Sequence, residues 1–242
     1  MKTGGLRLST ISVWHDARDG LRDATPIMPA VLPFAGVFGA MAVEQGLSLG
    51  EIMFASMTIF AGASQYAMVE LMGQQVPAWS IVMTVFAVNF RHVLYSASVG
   101  RHLTAFTGVQ KALAFFLLVD PQFAAAETRA MTKGLRPAYY FAYASVLYTT
   151  WVAANLLGAL FGQVIESPEY FGLDFILPLY FTGLVLGFHT RPNFVPVLVV
   201  SVLASLGAFF AIGSPWHISV GGLAGLIVAA LLSRPSGSLA HE

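Results

Sequence analysis

The sequence predicts an all-α polytopic membrane protein of about eight transmembrane helices, some of them discontinuous. Composition is the first reason. Hydrophobic residues make up 57% of the 242 and charged residues 10%, with a mean hydropathy of +0.73, the profile of an integral membrane protein. The second is a series of charge-free runs near bilayer length, and the third is the placement of proline and glycine inside several of them. Lys+Arg and Asp+Glu balance at 12 each, so there is no basic face for nucleic acid. The absence of cysteine excludes disulfides, thiolate metal sites and cysteine nucleophiles.

Residues 1–25 are polar and charged with no apolar h-region. They read as a cytoplasmic segment without a cleavable signal, so the first helix itself must direct insertion. Residues 26–43 and 52–69 are charge-free runs of 18 residues each, long enough to cross with little tilt. The run 77–90 is only 14 residues, which at ~1.5 Å per residue falls short of a hydrocarbon core of ~30 Å. That helix is expected to continue through Arg91 and His92 to about residue 99. Residues 112–126 form a fourth span interrupted by Asp120-Pro121, 137–165 a long fifth, and 175–188 a sixth. Residues 192–233 are 42 without a charge, about two bilayer lengths, and Gly213-Ser214-Pro215 splits them into spans seven and eight. The whole is one transmembrane domain over 26–233 with a cytoplasmic tail over 234–242.

Lys and Arg orient the chain. With the N-terminus inside, nine of them fall on the cytoplasmic side, Arg101 and Lys111 fall outside, and Arg91 lies in the membrane. This positive-inside bias and the even crossing number put both termini in the cytoplasm. Glycine pairs four residues apart, Gly158/Gly162, Gly183/Gly187 and Gly221/Gly225, suit close helix packing within the bundle.

Polar groups at membrane depth mark the working part. A guanidinium there costs at least ~2.5 kcal/mol on insertion scales, and such groups mark functional sites. Arg91 sits in Asn89-Phe90-Arg91-His92. Helical spacing stacks Asn89, His92 and Ser96 on one stripe and Arg91, Tyr95 and Ser98 on the next. In span one, Pro33 and Pro29 each deprive a carbonyl one turn back of its N–H partner. Span two carries Gly62, Ser64 and Gln65 near mid-bilayer. In span four, Pro121 frees the Leu117 carbonyl beside Asp120. Broken helices with polar groups are how secondary transporters build sites.

These groups suit a zwitterionic amino acid. Arg91, or a helix N-terminus near Gly62, takes the carboxylate; Asp120 and the Leu117 carbonyl take the ammonium. An apolar side chain fits among Phe60, Phe86 and Phe90. Gly62, Ser64, Gln65, Asn89, Arg91, His92, Ser96 and Asp120 are the candidate substrate residues, and His92 and Asp120 are candidate proton carriers. No G-x-x-x-x-G-K-[ST] occurs. No cofactor is expected, and pumping would be secondary or use a partner.

The segments Leu32-Pro33-Phe34-Ala35-Gly36-Val37-Phe38-Gly39-Ala40, Phe60-Ala61-Gly62-Ala63-Ser64-Gln65 and Asn89-Phe90-Arg91-His92-Val93-Leu94-Tyr95-Ser96-Ala97-Ser98 resemble the AzlC family, large subunits of branched-chain amino acid exporters. The resemblance implies export of valine, leucine, isoleucine and methionine across a bacterial inner membrane. It also implies a small AzlD-type membrane subunit as partner. One departure stands out. The family's Thr-Asp-Glu before an aromatic reads here Val119-Asp120-Pro121-Gln122-Phe123. Asp120 carries over and the second acid does not; Glu127, seven residues on, is a possible substitute.

Two rival readings use other features. Gly62-Ala63-Ser64, with His217 ahead of Gly221 and Gly225, resembles the Ser–His dyad of rhomboid intramembrane proteases. Gln65 stands where those enzymes carry a second glycine, and His217 falls near the surface, just after the turn. No H-E-x-x-H occurs, which argues against a metalloprotease. A passive assembly subunit would leave Arg91 and Asp120 without a role.

Overall fold

The computed structural model describes residues 4–73, 77–161, 179, 182–183, 185–186, 188–213 and 216–232. Among them every regular element is helical: α1 (Gly4–Ala24), α2 (Met28–Glu44), α3 (Leu49–Thr58), α4 (Gly62–Gly73), α5 (Ala78–Asn89), α6 (Arg91–Gly100), α7 (Gly108–Phe116), α8 (Asp120–Thr132), α9 (Pro137–Phe161), α10 (Phe194–Ile212) and α11 (Trp216–Leu232). More than half of the expected sixth span, 175–188, lies outside the described residues.

Small residues set the central contact. α2 and α9 run parallel, with Gly36 against Gly158 and Gly39 against Asn155. A Cβ on Gly158 would sit 1.9 Å from the Gly36 carbonyl oxygen, so the two backbones touch where glycine permits it. Around this seam Phe34 stacks on Tyr66 at 4.9 Å, the Tyr66 hydroxyl donates to the Phe34 carbonyl, and Trp151 packs on both Phe34 and Phe38. Gly221 and Gly225 likewise sit against Ser205 and Ser201 of α10, and α10 and α11 separate at Gly213 as expected.

The polar N-terminal segment forms a helix, α1, that docks on the bundle. Asp16, Asp19 and Asp23 recur at one helical face. Arg129 bridges Asp16 at 2.6 Å and Asp19 at 2.7 Å, Lys133 and Arg136 add a bond each, and the Tyr139 hydroxyl donates to Asp23. The Arg129 guanidinium, and after it the Lys133 ammonium, hold the Asp19 carboxyl below its ordinary range. This contact therefore favours the docked helix above the carboxylate's unfolded pKa and fades as pH falls through its lowered value.

The second and fourth expected crossings are corrected by the structure. Leu49 opens α3 beside Gln45, and a Cβ on Gly73, the last residue of α4, would meet the Gln45 side chain. Both ends of the α3–α4 pair thus lie at the end of the bundle where α2 finishes. Gln110 of α7 shares a cleft with Val13, Asp16 and Arg136, and Lys133, just after α8, pairs with Asp19. Both ends of α7–α8 therefore lie at the α1 end. Each pair is a hairpin that enters and returns.

The two hairpins are built alike. Each opens with a capping box, Ser48 with Glu51 and Thr107 with Gln110, which satisfies the first-turn N–H groups. Each breaks in a tight turn, the Ala61 N–H donating to the Ile59 carbonyl and the Val119 N–H to the Leu117 carbonyl. Hydropathy reads such a segment as a crossing because the apolar residues on either side of each break run together to near bilayer length.

Spans one and three also differ from expectation. α2 continues through Pro33, and the interruption is a 3-10 turn over Thr25–Ile27 at its entrance. The third span is not one continuous helix but turns at Phe90 between α5 and α6. The His92 ring Nδ1 lies 3.1 Å from the Asn89 carbonyl, capping what the break exposes. Among the described residues, three stretches are long and apolar enough to cross a membrane alone: Val13–Glu44, Pro137–Phe161 and Phe194–Ile212.

Turning both segments back moves Arg101 and Lys111 to the α1 end, among Arg129, Lys133 and Arg136. Single cysteines placed in this cysteine-free chain test the arrangement. Thr104→Cys and Thr132→Cys should label with an impermeant maleimide from one side of the membrane and Met72→Cys from the other. Labelling of positions 104 and 132 from opposite sides would restore the crossing.

Candidate functional site

The two hairpin tips and the α5–α6 turn converge on one cavity. Phe60, Ala61, Gly62 and Ala63 come from the first tip, Val119, Asp120 and Pro121 from the second, and Arg91 from the turn. Val31 and Phe34 of α2 and Leu147 and Trp151 of α9 close the apolar side. The Ser64 and Gln65 N–H groups donate back to the Ala61 carbonyl, and the N–H groups of Gly62 and Ala63 precede any acceptor in α4, so Gly62 presents a weakly positive helix end here. Glycine is required: a Cβ would fall 2.7 Å from the Trp151 ring and 2.8 Å from that of Phe34.

Arg91 and Asp120 form an ion pair at 3.0 Å, with side chains 24% and 18% exposed. The Tyr95 hydroxyl donates to the same Asp120 oxygen at 2.7 Å, and its ring stacks on Phe123. The expected stripe of Arg91, Tyr95 and Ser98 thus faces α8, where Ser98 donates to Glu127 at 2.6 Å. The guanidinium keeps a donor to spare. Arg91 Nε is buried and has no partner among the described residues, although the group carries five N–H bonds. A buried orphan donor costs ~1–3 kcal/mol, a deficit that an incoming anion would remove.

The cavity holds about 40 Å³, room for waters and far below the ~300 Å³ of a ligand pocket. Arg91 and Asp120 also line a second, open groove of about 390 Å³, with Tyr95, Phe123, Glu127 and Arg191 among its walls. The ion pair is the shared wall of the two spaces.

Of the expected site residues, Gly62, Arg91 and Asp120 line the cavity. Four others stand behind it. Ser64 is fully buried and donates to Asn89 Oδ1. Gln65 is fully buried and accepts from the Trp151 indole at 3.0 Å. Asn89 is held by Ser64, and His92 by the Asn89 carbonyl. Ser96 lines neither space. The Leu117 carbonyl is not free, because the Val119 N–H occupies it. Phe86 and Phe90 are exposed at 64% and 44% and make no wall; Phe34, Leu147 and Trp151 take that place. Ser64 is bonded to Asn89 and the His217 ring packs on Phe209, so no Ser–His dyad forms.

The family described as AzlC protein matches residues 26–165. The chain is 30% identical over 220 residues to "Inner membrane protein YgaZ" of Escherichia coli (strain K12), covering 88% of this chain and 87% of the relative. An "Uncharacterized membrane protein" of Archaeoglobus fulgidus is 34% identical over 185 residues, 72% of this chain and 78% of its own. One of Helicobacter pylori (strain J99) is 26% identical over 184 residues, 73% and 79% respectively. No solved structure matches the chain.

The Ser64–Asn89 bond ties the first tip to the α5–α6 turn. Asn89→Ala leaves a buried hydroxyl without its acceptor and should cost about 1–3 kcal/mol, read as a lower melting temperature of the purified protein. An unchanged melting temperature would show that the bond does not hold the tip.

Proposed function

The chain belongs to the AzlC family, and we propose that it exports branched-chain amino acids across the inner membrane by secondary transport, together with a small AzlD-type subunit. Valine, leucine and isoleucine are the substrates, with methionine admitted by its flexible apolar side chain. The observation that supports this reading is the unpartnered, buried Nε of Arg91, in a guanidinium that pairs with a carboxylate in the wall of the cavity lined by the α4 N-terminus. The segment before α2 and the α7–α8 hairpin face the cytoplasm in this reading, since the basic residues gather there.

A zwitterion matches this site because it carries both missing partners. Its carboxylate replaces Asp120 on Arg91 and meets the Gly62 helix end. Its ammonium replaces Arg91 on Asp120. Parting the pair unaided forfeits a gross Coulomb attraction of ~5 kcal/mol at an effective dielectric of ~20; a zwitterion restores both contacts as it enters, so the exchange is nearly balanced. A ligand with one charge would leave one partner buried and alone. The side chain then lies against Phe34, Phe60, Leu147 and Trp151, which favours branched apolar groups over polar ones.

Entry has to enlarge the cavity, and the shared wall says how. As the pair opens around the substrate, the small cavity and the groove become one space. Each broken hairpin can close the path on its own side, an arrangement of the kind by which transporters expose a midplane site alternately.

Cells loaded with leucine or valine and expressing the chain with its small subunit should release them faster than empty-vector cells; equal efflux refutes the proposal. Arg91→Ala and Asp120→Ala should each weaken substrate binding by roughly 2–5 kcal/mol and remove efflux, with normal amounts of protein in the membrane. Normal efflux from either variant would make that residue structural only.

A further inference from the structure

Asp120 is committed to the substrate pair: its Oδ1 already meets the Arg91 guanidinium at 3.0 Å and the Tyr95 hydroxyl at 2.7 Å. His92 is turned to a backbone carbonyl and lines neither the cavity nor the groove. Exporting a solute against its gradient by secondary transport needs an ion to move the other way, so a different group is required if protons serve.

α6 and α8 run parallel from the ion pair to the α1 end, and their seam holds a second ionisable group. Glu127 is seven residues beyond Asp120, two turns and ~10 Å along the helix. Its side chain is 13% exposed. One oxygen accepts from Ser98 at 2.6 Å, and the other lies 3.8 Å from His102 Nε2. It lines the same open groove as Arg91 and Asp120. The charged and titratable groups that face it are Arg101 and His102 in the turn after α6, Arg191 across the groove, and the more distant Arg91, Tyr95 and Asp120. No guanidinium bonds it among the described contacts; Arg101 bonds the Ser98 backbone and hydroxyl instead.

We propose that Glu127 is the proton-carrying site of the transport cycle, with His102 as its outlet to the α1 end, separate from the Arg91–Asp120 pair that takes the substrate. The inference rests on the transport reading above. A proton arriving through the groove binds a Glu127 carboxylate oxygen. It passes to Nε2 of neutral His102, through one water or a small ring movement that spans 3.8 Å, and leaves to solvent when His102 deprotonates. Glu127 then regains its negative charge. That His102 is 30% exposed suits it to the solvent end of the relay, since an imidazole can take a proton on a ring nitrogen and release it to water. Ser98 holds the Glu127 carboxylate in place and can turn its hydroxyl to accept when that group is protonated.

The test separates binding from coupling. The full chain, purified with the small subunit and reconstituted in liposomes, is assayed for exchange of labelled for unlabelled leucine at equal pH, and for leucine accumulation driven by an imposed pH gradient. Glu127→Gln should keep exchange within about twofold of wild type and lose gradient-driven accumulation by about tenfold or more, while Asp120→Asn loses both. His102→Gln should slow accumulation and leave exchange intact. A Glu127→Gln protein that still accumulates leucine overturns the proton assignment alone, and so does one that loses exchange as well. Wild-type protein that exchanges no leucine overturns the transport reading and this inference with it.

Discussion

The ion pair between Arg91 and Asp120 is the contact on which the arrangement depends. Two charges at membrane depth are stable only if each finds the other, or a substitute. Here each comes from the end of a helix: Arg91 opens α6 and Asp120 opens α8. A carboxylate suits a helix N-terminus and a cation does not, so Asp120 is at ease on its own helix while Arg91 depends on its partner. The imbalance makes Arg91 the group with most to gain from an anion.

The hairpins explain why such a pair can exist there. Broken backbone in a membrane must be enclosed by protein or meet water. Both tips close their exposed carbonyls with the same tight turn, from Ala61 to Ile59 and from Val119 to Leu117. α2 and α9 then brace the tips from the apolar side through Phe34 and Trp151. The tight Gly36–Gly158 contact is what lets those two helices reach both tips at once.

Much of this was legible in the sequence, but unevenly. Arg91 and Asp120 stood out because a permanent charge or a carboxylate beside proline has no cheap place in lipid. The breaks after Thr58 and Phe116 were signalled by Gly62 and Asp120-Pro121. The return of each hairpin was not, because the apolar residues on either side of each break have the hydropathy of one crossing. The clue was in the charges: Arg101 and Lys111 were the two residues that an eight-crossing reading left on the wrong side, and the hairpins account for both. The cavity wall was the least legible part. Trp151 and Phe34 meet the site through contacts distant in sequence, and neither carries a local signal, whereas Phe86 and Phe90 were near in sequence and point elsewhere. Ser64 and Gln65, read from the sequence as substrate residues, are buried and hold the tip and its neighbour in place instead of lining the cavity.

The account stands on the two charges of the ligand being answered separately by two side chains. Thermal stabilisation of the purified protein by leucine, 4-methylpentanoate and isoamylamine measures this directly, because the last two share the branched side chain but keep one charge each. Leucine should raise the melting temperature and neither single-charge analogue should do so at the same concentration. Equal stabilisation by either analogue would mean that the Arg91–Asp120 pair is not opened by a zwitterion.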